Sequence, residues 1–372
     1  MRIAVLTTYF DPEENGLTRY IGGLYGALRK KHPEIQVDVI TFDTLRTKKY
    51  FEKKKNWDIY RIDCLPILGR TYAVPTKRGR RQLREIFRKN TYDLINTHTR
   101  FFLTSYYGLK LGKKYKTPVI HTEHGSDFVK HSCRPVEWIA KGYDYTLGRH
   151  VLKNADLVCG VSESACRFAR KLGAGKTEVV YNGINVKFWQ AAQRTRPTKK
   201  NAINFTFVGR LIAEKGVQDL ITALKENPHN WRLRVVGDGP HRKNLENLVG
   251  KYGLEDRIQF LGAKSQKEIR DILGKTDLFI NPSLASEGLP TTILEAAATG
   301  CRVLSSDKGG SVEALDKENL YPAGNLTELK AKILDYQKLP VPTVDKFDWA
   351  NISDQYYRAI SGILRLPNKN PL

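Results

Sequence analysis

The chain has 372 residues, 41% of them hydrophobic, which suits two globular domains of ordinary size and excludes a disordered or fibrous chain. No apolar run of about 18 residues occurs, so no membrane-spanning helix is expected, and the opening residues 1–7 read as a strand rather than a secretory leader. The formal charge is +23, concentrated in residues 1–190, which hold 35 Lys and Arg against 18 Asp and Glu.

Strand and helix signals alternate along the chain. Residues 3–8 form an apolar, β-rich run, and 16–30 carry a helical pattern through Tyr20, Leu24 and Leu28. Further strands are expected at 35–41, 94–97, 118–122, 157–161 and 178–181, with helices at 102–111, 138–154 and 163–172 between them. Residues 190–200 are polar and read as a linker. The alternation then restarts with strands at 203–208, 233–236, 258–261 and 278–281, and helices at 217–224, 244–252 and 267–273. Two parallel sheets with helices on both faces follow from this order.

Five cysteines (Cys64, Cys133, Cys159, Cys166 and Cys301) are scattered without C-x-x-C spacing, so reduced thiols are expected and a zinc site is not. The densest charge is in residues 77–89, where Leu83, Ile86 and Phe87 recur at helical spacing among Lys77, Arg78, Arg80, Arg81, Arg84, Arg88 and Lys89. Such a surface suits an anionic lipid face, nucleic acid or plain solvent. No nucleic-acid motif accompanies it, and no specific nucleic-acid partner is expected.

The most informative stretch is Ser286-Glu287-Gly288-Leu289-Pro290-Thr291-Thr292-Ile293-Leu294-Glu295. Pro290 suits the first turn of a helix, and Gly300 suits its end. Glu287 then stands in the loop before the helix and Glu295 about 7 Å along it, at ~1.5 Å per residue. Free amides at a helix start attract phosphate. A sugar–diphosphate–ribose ligand would place hydroxyls against both carboxylates.

Glu287 to Glu295 resembles the E-x7-E signature of retaining GT-B glycosyltransferases, especially family 4. Val208-Gly209-Arg210-Leu211-Ile212-Ala213-Glu214-Lys215-Gly216 is similar to the G-R-L…E-K-G segment of that family. Val236-Gly237-Asp238-Gly239-Pro240, Tyr181-Asn182-Gly183-Ile184 and Thr122-Glu123-His124-Gly125 match further family stations in order. The resemblance implies two Rossmann-like, doubly wound α/β domains facing across a cleft. Residues 1–190 would bind the acceptor and 191–345 the nucleotide-sugar donor, with 346–372 returning to brace the first domain.

It also assigns roles. Arg210 and Lys215, beside Gly209, would clamp the departing diphosphate. Glu287 would contact the donor sugar, Glu295 the ribose hydroxyls, and the Gly288 and Leu289 amides the diphosphate. His124 would stand at the donor-sugar face. The Gly237-Asp238-Gly239 turn is either a donor contact or a plain strand-to-helix turn. Gly16, where the family commonly has Gly-Gly, would allow close backbone approach. His98, also at a strand end, reads as mostly structural.

No D-x-D pair occurs in the chain, so no metal and no cofactor are expected beyond a UDP- or GDP-linked donor. Retention in this family is described as front-face attack, in which a donor phosphate oxygen takes the acceptor proton. The expected enzyme is a metal-independent hexosyltransferase on the cytoplasmic membrane face, acting on a lipid-linked or envelope glycan acceptor. A GT-B epimerase, a soluble sugar-phosphate synthase and a basic nucleic-acid-binding protein are the alternatives. Oligomeric state is left open.

Overall fold

The computed structural model describes residues 1–13, 15–54, 57–67, 72–129, 134–192 and 202–364. The chain divides into two compact units, residues 1–183 with the segment from Trp349 onward, and Ile184–Asp348. The first boundary therefore precedes the expected break after residue 190. The Ile184 amide donates to the Phe347 carbonyl at 2.9 Å, and the Asp348 carboxylate accepts from the Val186 amide at 3.0 Å. Trp189 is buried as well, so 184–190 fold with the second unit. Asp348 ends that unit for the same reason, three residues past the expected 345. Residues 193–200 of the expected linker, and Cys133, lie outside the described residues.

The first unit contains β1 (Arg2–Thr7), α1 (Gly16–Lys31), β2 (Gln36–Phe42), β3 (Phe51–Lys54), β4 (Trp57–Ile62), β5 (Cys64–Ile67), β6 (Tyr72–Pro75) and α2 (Lys77–Lys89). It continues through β7 (Leu94–His98), α3 (Leu103–Tyr115), β8 (Val119–Glu123), α4 (Arg134–Tyr143), α5 (Arg149–Asn154), β9 (Leu157–Gly160), α6 (Glu163–Lys171) and β10 (Thr177–Val179). The sheet order is β10-β9-β8-β7-β1-β2-β4-β3, parallel except for β3. β5 and β6 form a separate antiparallel hairpin.

Strands buried on both faces read as continuous apolar runs. On β1, Ile3 and Val5 pack with Tyr20 and Leu24 of α1, while Ala4 and Leu6 pack with Leu83 and Ile86 of α2. β3 and β4 escaped the sequence reading because their charged residues interrupt the apolar pattern. Phe51-Glu52-Lys53-Lys54 is an edge strand, where such charge blocks further pairing. The single helix expected over 138–154 is interrupted by a π-helical turn, Asp144–Gly148, between α4 and α5.

The second unit contains α7 (Val186–Gln190), β11 (Ile203–Val208), α8 (Val217–Lys225), β12 (Trp231–Val236), α9 (Arg242–Tyr252), β13 (Ile258–Gly262) and α10 (Gln266–Leu273). β14 (Leu278–Asn281), α11 (Thr291–Ala298), β15 (Arg302–Ser306), α12 (Ser311–Ala314), β16 (Leu320–Tyr321) and α13 (Leu326–Leu334) complete it. Its all-parallel sheet runs β13-β12-β11-β14-β15-β16.

The last helix, α14 (Trp349–Leu364), belongs to the first unit and lies on α1. Ile352, Tyr356, Ala359 and Ile360 join the α1 core, and the Tyr356 and Tyr25 hydroxyls bond at 2.8 Å. Lys31 pairs with Asp354 at 2.7 Å. Trp349 fills the space beside Gly23, where any Cβ would lie 2.1 Å from the indole.

Candidate active site

Each sheet reverses its winding once, and open parallel sheets bind ligands at that reversal, beyond the carboxyl ends of the strands. In the second unit the reversal lies between β11 and β14. The loop after β11 carries Gly209, Arg210 and Lys215, and the loop after β14 carries Glu287, Gly288 and Leu289. Two candidate groups far apart in sequence thus meet at the position where chemistry is expected.

The Lys215 ammonium pairs with Oε2 of Glu287, both side chains being about three-quarters buried. The other carboxylate oxygen, Oε1, is buried with no hydrogen-bond partner among the described residues. Leaving such an acceptor unpaired costs about 1–3 kcal/mol, which a ligand hydroxyl would recover. Arg210 is exposed, with no side-chain ion pair among the described residues, and is open to an anion. The start of α11 has no side-chain cap. Pro290 occupies its N-cap rather than its first turn, and Glu295 is its fifth residue, buried at 3% exposure.

The glycines in these loops answer to backbone packing. A Cβ on Gly310, after β15, would stand 1.9 Å from the Gly288 carbonyl, so only glycine lets that turn support the Glu287 loop. Gly237 has φ +127, and its Cβ would stand 1.9 Å from the Gly209 carbonyl. The Gly237-Asp238-Gly239 turn therefore braces the Arg210 loop. Asp238 is engaged locally, accepting from the Gly239 amide at 2.7 Å and lying 3.5 Å from Arg242.

In the first unit the winding reverses between β1 and β7. Gly16 opens α1 after β1, and a Cβ there would meet nothing within 4 Å, so space above the helix start is free. Asn15 caps α1 by accepting from the Leu17 and Thr18 amides at 2.9 and 3.0 Å. Two of the free amides at that helix start are thus already engaged.

His124 follows β8, and its Nε2 lies 3.2 Å from Nδ1 of His98 at the end of β7. Tyr20 packs edge-on against the His124 ring at 4.8 Å. Burial lowers His124 to about 4 and pushes His98 well below the usual imidazole range, so both rings are neutral. One ring then donates and the other accepts, which couples the tautomers of His98 and His124. His98, which the sequence reading makes mostly structural, is thus the hydrogen-bond partner of His124.

Beneath this pair lies a charge cluster that sequence reading missed. Arg100 donates to Glu123 at 2.8 Å and to both oxygens of Asp144 at 2.7 and 3.2 Å, with every side chain at most 1% exposed. Glu123 also accepts from the Gly125 amide at 2.7 Å, which fastens the turn that carries His124. Burial opposes charge on Glu123, but Arg100, His121 and the Gly125 amide hold it down to about 2. Thr99, between His98 and Arg100, adopts φ +63, a left-handed conformation that costs about 1–3 kcal/mol outside glycine. The available signal was Glu123 inside the His124 motif; Asp144 gave none, because the π-turn aims it.

Comparison with known proteins agrees with this fold. A profile of Glycosyltransferase Family 4 matches residues 14–188, and one of Glycosyl transferases group 1 matches 190–348. The chain is 26% identical over 328 residues to an uncharacterized glycosyltransferase of Methanocaldococcus jannaschii, covering 85% of this chain and 83% of that one. In structure it is similar to a sucrose-phosphate synthase from Thermosynechococcus elongatus, with TM-score 0.80, 23% identity and coverage of 98% and 100%. An Anabaena protein in complex with UDP and glucose aligns with TM-score 0.72 at 20% identity, over 97% of this chain and 100% of that one.

Proposed function

Because the chain belongs to the family 4, group 1 glycosyltransferases of GT-B fold, we propose that it moves a hexosyl unit, with retention and without a metal ion, from a UDP- or GDP-sugar to a lipid-linked or envelope glycan acceptor. The carrying observation is Glu287, one carboxylate oxygen paired to Lys215 and the other buried and unpaired, at the strand reversal of the second unit. Lys215 and Arg210 meet the diphosphate as charge-assisted donors, the unpaired Oε1 accepts from a sugar hydroxyl, and Glu295 accepts from the ribose. The bond between the anomeric carbon and the phosphate oxygen breaks, the acceptor oxygen takes the same face of that carbon, and the acceptor proton passes to the leaving phosphate. No protein nucleophile is needed, so the chain's work is orientation and charge stabilisation.

A UDP-linked donor has the support of the Anabaena neighbour, which was solved with UDP and glucose. The exposed cations of α2 support a membrane-associated acceptor, reached from the cytoplasmic face of an anionic bilayer. Among the described residues no helix is long and apolar enough to cross a membrane.

The test is a calorimetric screen of UDP- and GDP-sugars, followed by anomeric analysis of the product. Saturable binding of one donor class and a retained anomeric configuration are expected. Absence of binding by every nucleotide-sugar would overturn the reading. Turnover with a soluble sugar phosphate in place of a lipid-linked acceptor would favour the synthase alternative.

A further inference from the structure

Beyond the carboxyl ends of β2 and β4 the first unit holds a pocket of about 420 Å³, with none of the residues assigned to the donor in its lining. Arg46, Lys48, Lys49, Arg61 and Arg78 line it, against the carboxylates of Asp43 and Asp63. Those two carboxylates are occupied. Asp43 accepts from the Thr47 amide and hydroxyl at 2.8 and 2.9 Å and from the Lys48 amide at 2.9 Å, and Asp63 accepts from the Thr76 hydroxyl. The cations are therefore in excess over the acids free to meet them.

Arg61 shows that the site is built rather than accidental. Its side chain is 5% exposed and pairs with Glu52 at 2.7 Å through one terminal nitrogen, while its Nε is buried with no hydrogen-bond partner. A buried donor without an acceptor is a standing cost that an anion in the pocket removes. Arg78 stands in the first turn of the thirteen-residue α2, whose helix dipole favours negative charge there. Arg46 and Lys48 are held at φ +54 and +60, left-handed backbone that L residues rarely adopt. The Cys64 thiol, also in the lining, is pushed up to about 11 by burial and by Asp43 and Asp63, so it stays protonated and does not repel an anion.

We propose that this pocket binds a phosphate or diphosphate group carried by the acceptor. The assignment of that group to the acceptor rests on the glycosyl-transfer reading; the anion site itself does not. Leu65 in the lining is 58% exposed, and Ile67 on the same face of β5 is 48% exposed. This gives the pocket an apolar lip, where the chain of a phosphorylated lipid would lie.

The experiment is calorimetric titration of the full chain with inorganic pyrophosphate in saturating UDP or GDP, whichever the chain binds, so that the donor site is occupied. Saturable one-to-one binding is expected. It should weaken at least tenfold in a Lys49→Ala, Arg78→Ala variant, which alters only exposed side chains, and also in Arg61→Lys, which keeps the charge beside Glu52 but removes Nε. Geranyl diphosphate binding more tightly than pyrophosphate would assign the phosphate to a lipid, and equal affinity to a soluble ligand. No saturable heat in the wild type, or an affinity unchanged in both variants, would overturn the proposal. Failure to bind either UDP or GDP, with pyrophosphate still held through Lys49 and Arg78, would instead remove the glycosyl-transfer reading and leave the pocket standing.

Discussion

At Glu287 one carboxylate oxygen is paired and the other is not, and this asymmetry separates its role from that of Glu295. Glu287→Ala should weaken intact nucleotide-sugar far more than the nucleoside diphosphate, because only the donor carries the sugar. Glu295→Ala should weaken both, the ribose being common to them. A buried carboxylate–hydroxyl bond is worth roughly 1.5–3 kcal/mol, about a 10- to 100-fold loss in affinity by calorimetry. Equal losses for both ligands in both variants would remove the division of labour. Arg210→Ala and Lys215→Ala should each lower kcat/KM by about 10²-fold or more, the loss of ~3–4 kcal/mol expected when a donor to developing charge is removed. Lys215→Ala carries a second effect, since it also leaves Glu287 without its counter-charge. Near-wild-type steady-state turnover in both variants would reject the clamp.

Among the elements, α2 is where sequence and structure separate two possible uses of charge. Gly79, Gln82, Leu83, Ile86 and Phe87 are buried, while Lys77, Arg78, Arg80, Arg81, Arg84, Arg88 and Lys89 are exposed. Glu85 is the one acid on the helix, and it reaches Arg81 only at 3.9 Å. The outer face is therefore nearly uncompensated. At about 1 kcal/mol per cation near an anionic surface, a few engaged residues suffice for reversible docking. An Arg80, Arg81, Arg84, Arg88→Gln variant should co-sediment less with anionic liposomes than the wild type, and neither protein should pellet with neutral ones. Docking should also weaken in high salt, as the Debye length falls from ~10 Å at 0.1 M to ~3 Å at 1 M. Equal pelleting of both proteins on anionic vesicles would make α2 a solvated helix.

For the whole molecule, the buried imidazoles and the Arg100 cluster predict how stability depends on pH. His98 and His124 are bases whose folded pKa lies below the ordinary ~6.5, so below that pH the unfolded chain binds more protons. Their contribution is full above pH ~6.5 and is lost as pH falls toward 4. Glu123 is an acid held down to about 2, so its contribution is present above ~4.3 and is lost as pH falls through 2. The urea midpoint should therefore fall in two stages on acidification. A His98→Asn, His124→Asn variant should flatten the stage between pH 6.5 and 4.5; a wild-type midpoint constant over that window would contradict the neutral pair. At the same scale, turnover should persist in excess EDTA, since the positive charge comes from Arg210, Lys215 and the α11 start. Loss on chelation, restored by Mn²⁺ or Mg²⁺, would reveal a metal site.

Sequence by itself determined the two α/β units and most of their strands, and it singled out Glu287, Glu295, Arg210 and Lys215 as candidates. Those features are local: apolar runs, helix spacing and short motifs act over ten residues or fewer. Strand 278–281 was placed to the residue, because Leu278, Phe279 and Ile280 form an unbroken buried apolar run. Tertiary structure alone decided the rest. The Lys215–Glu287 pair, the His98–His124 bond and the Arg100 cluster join residues 72, 26 and 23 to 44 positions apart. The unit boundary at Gly183/Ile184 depends on Phe347 and Asp348, far along the chain. Charged β3 and β4 are strands because the sheet edge supplies their hydrogen bonds, against a pattern that reads as loop. Long-range pairing of this kind is set by which strands lie adjacent, and no local pattern encodes it.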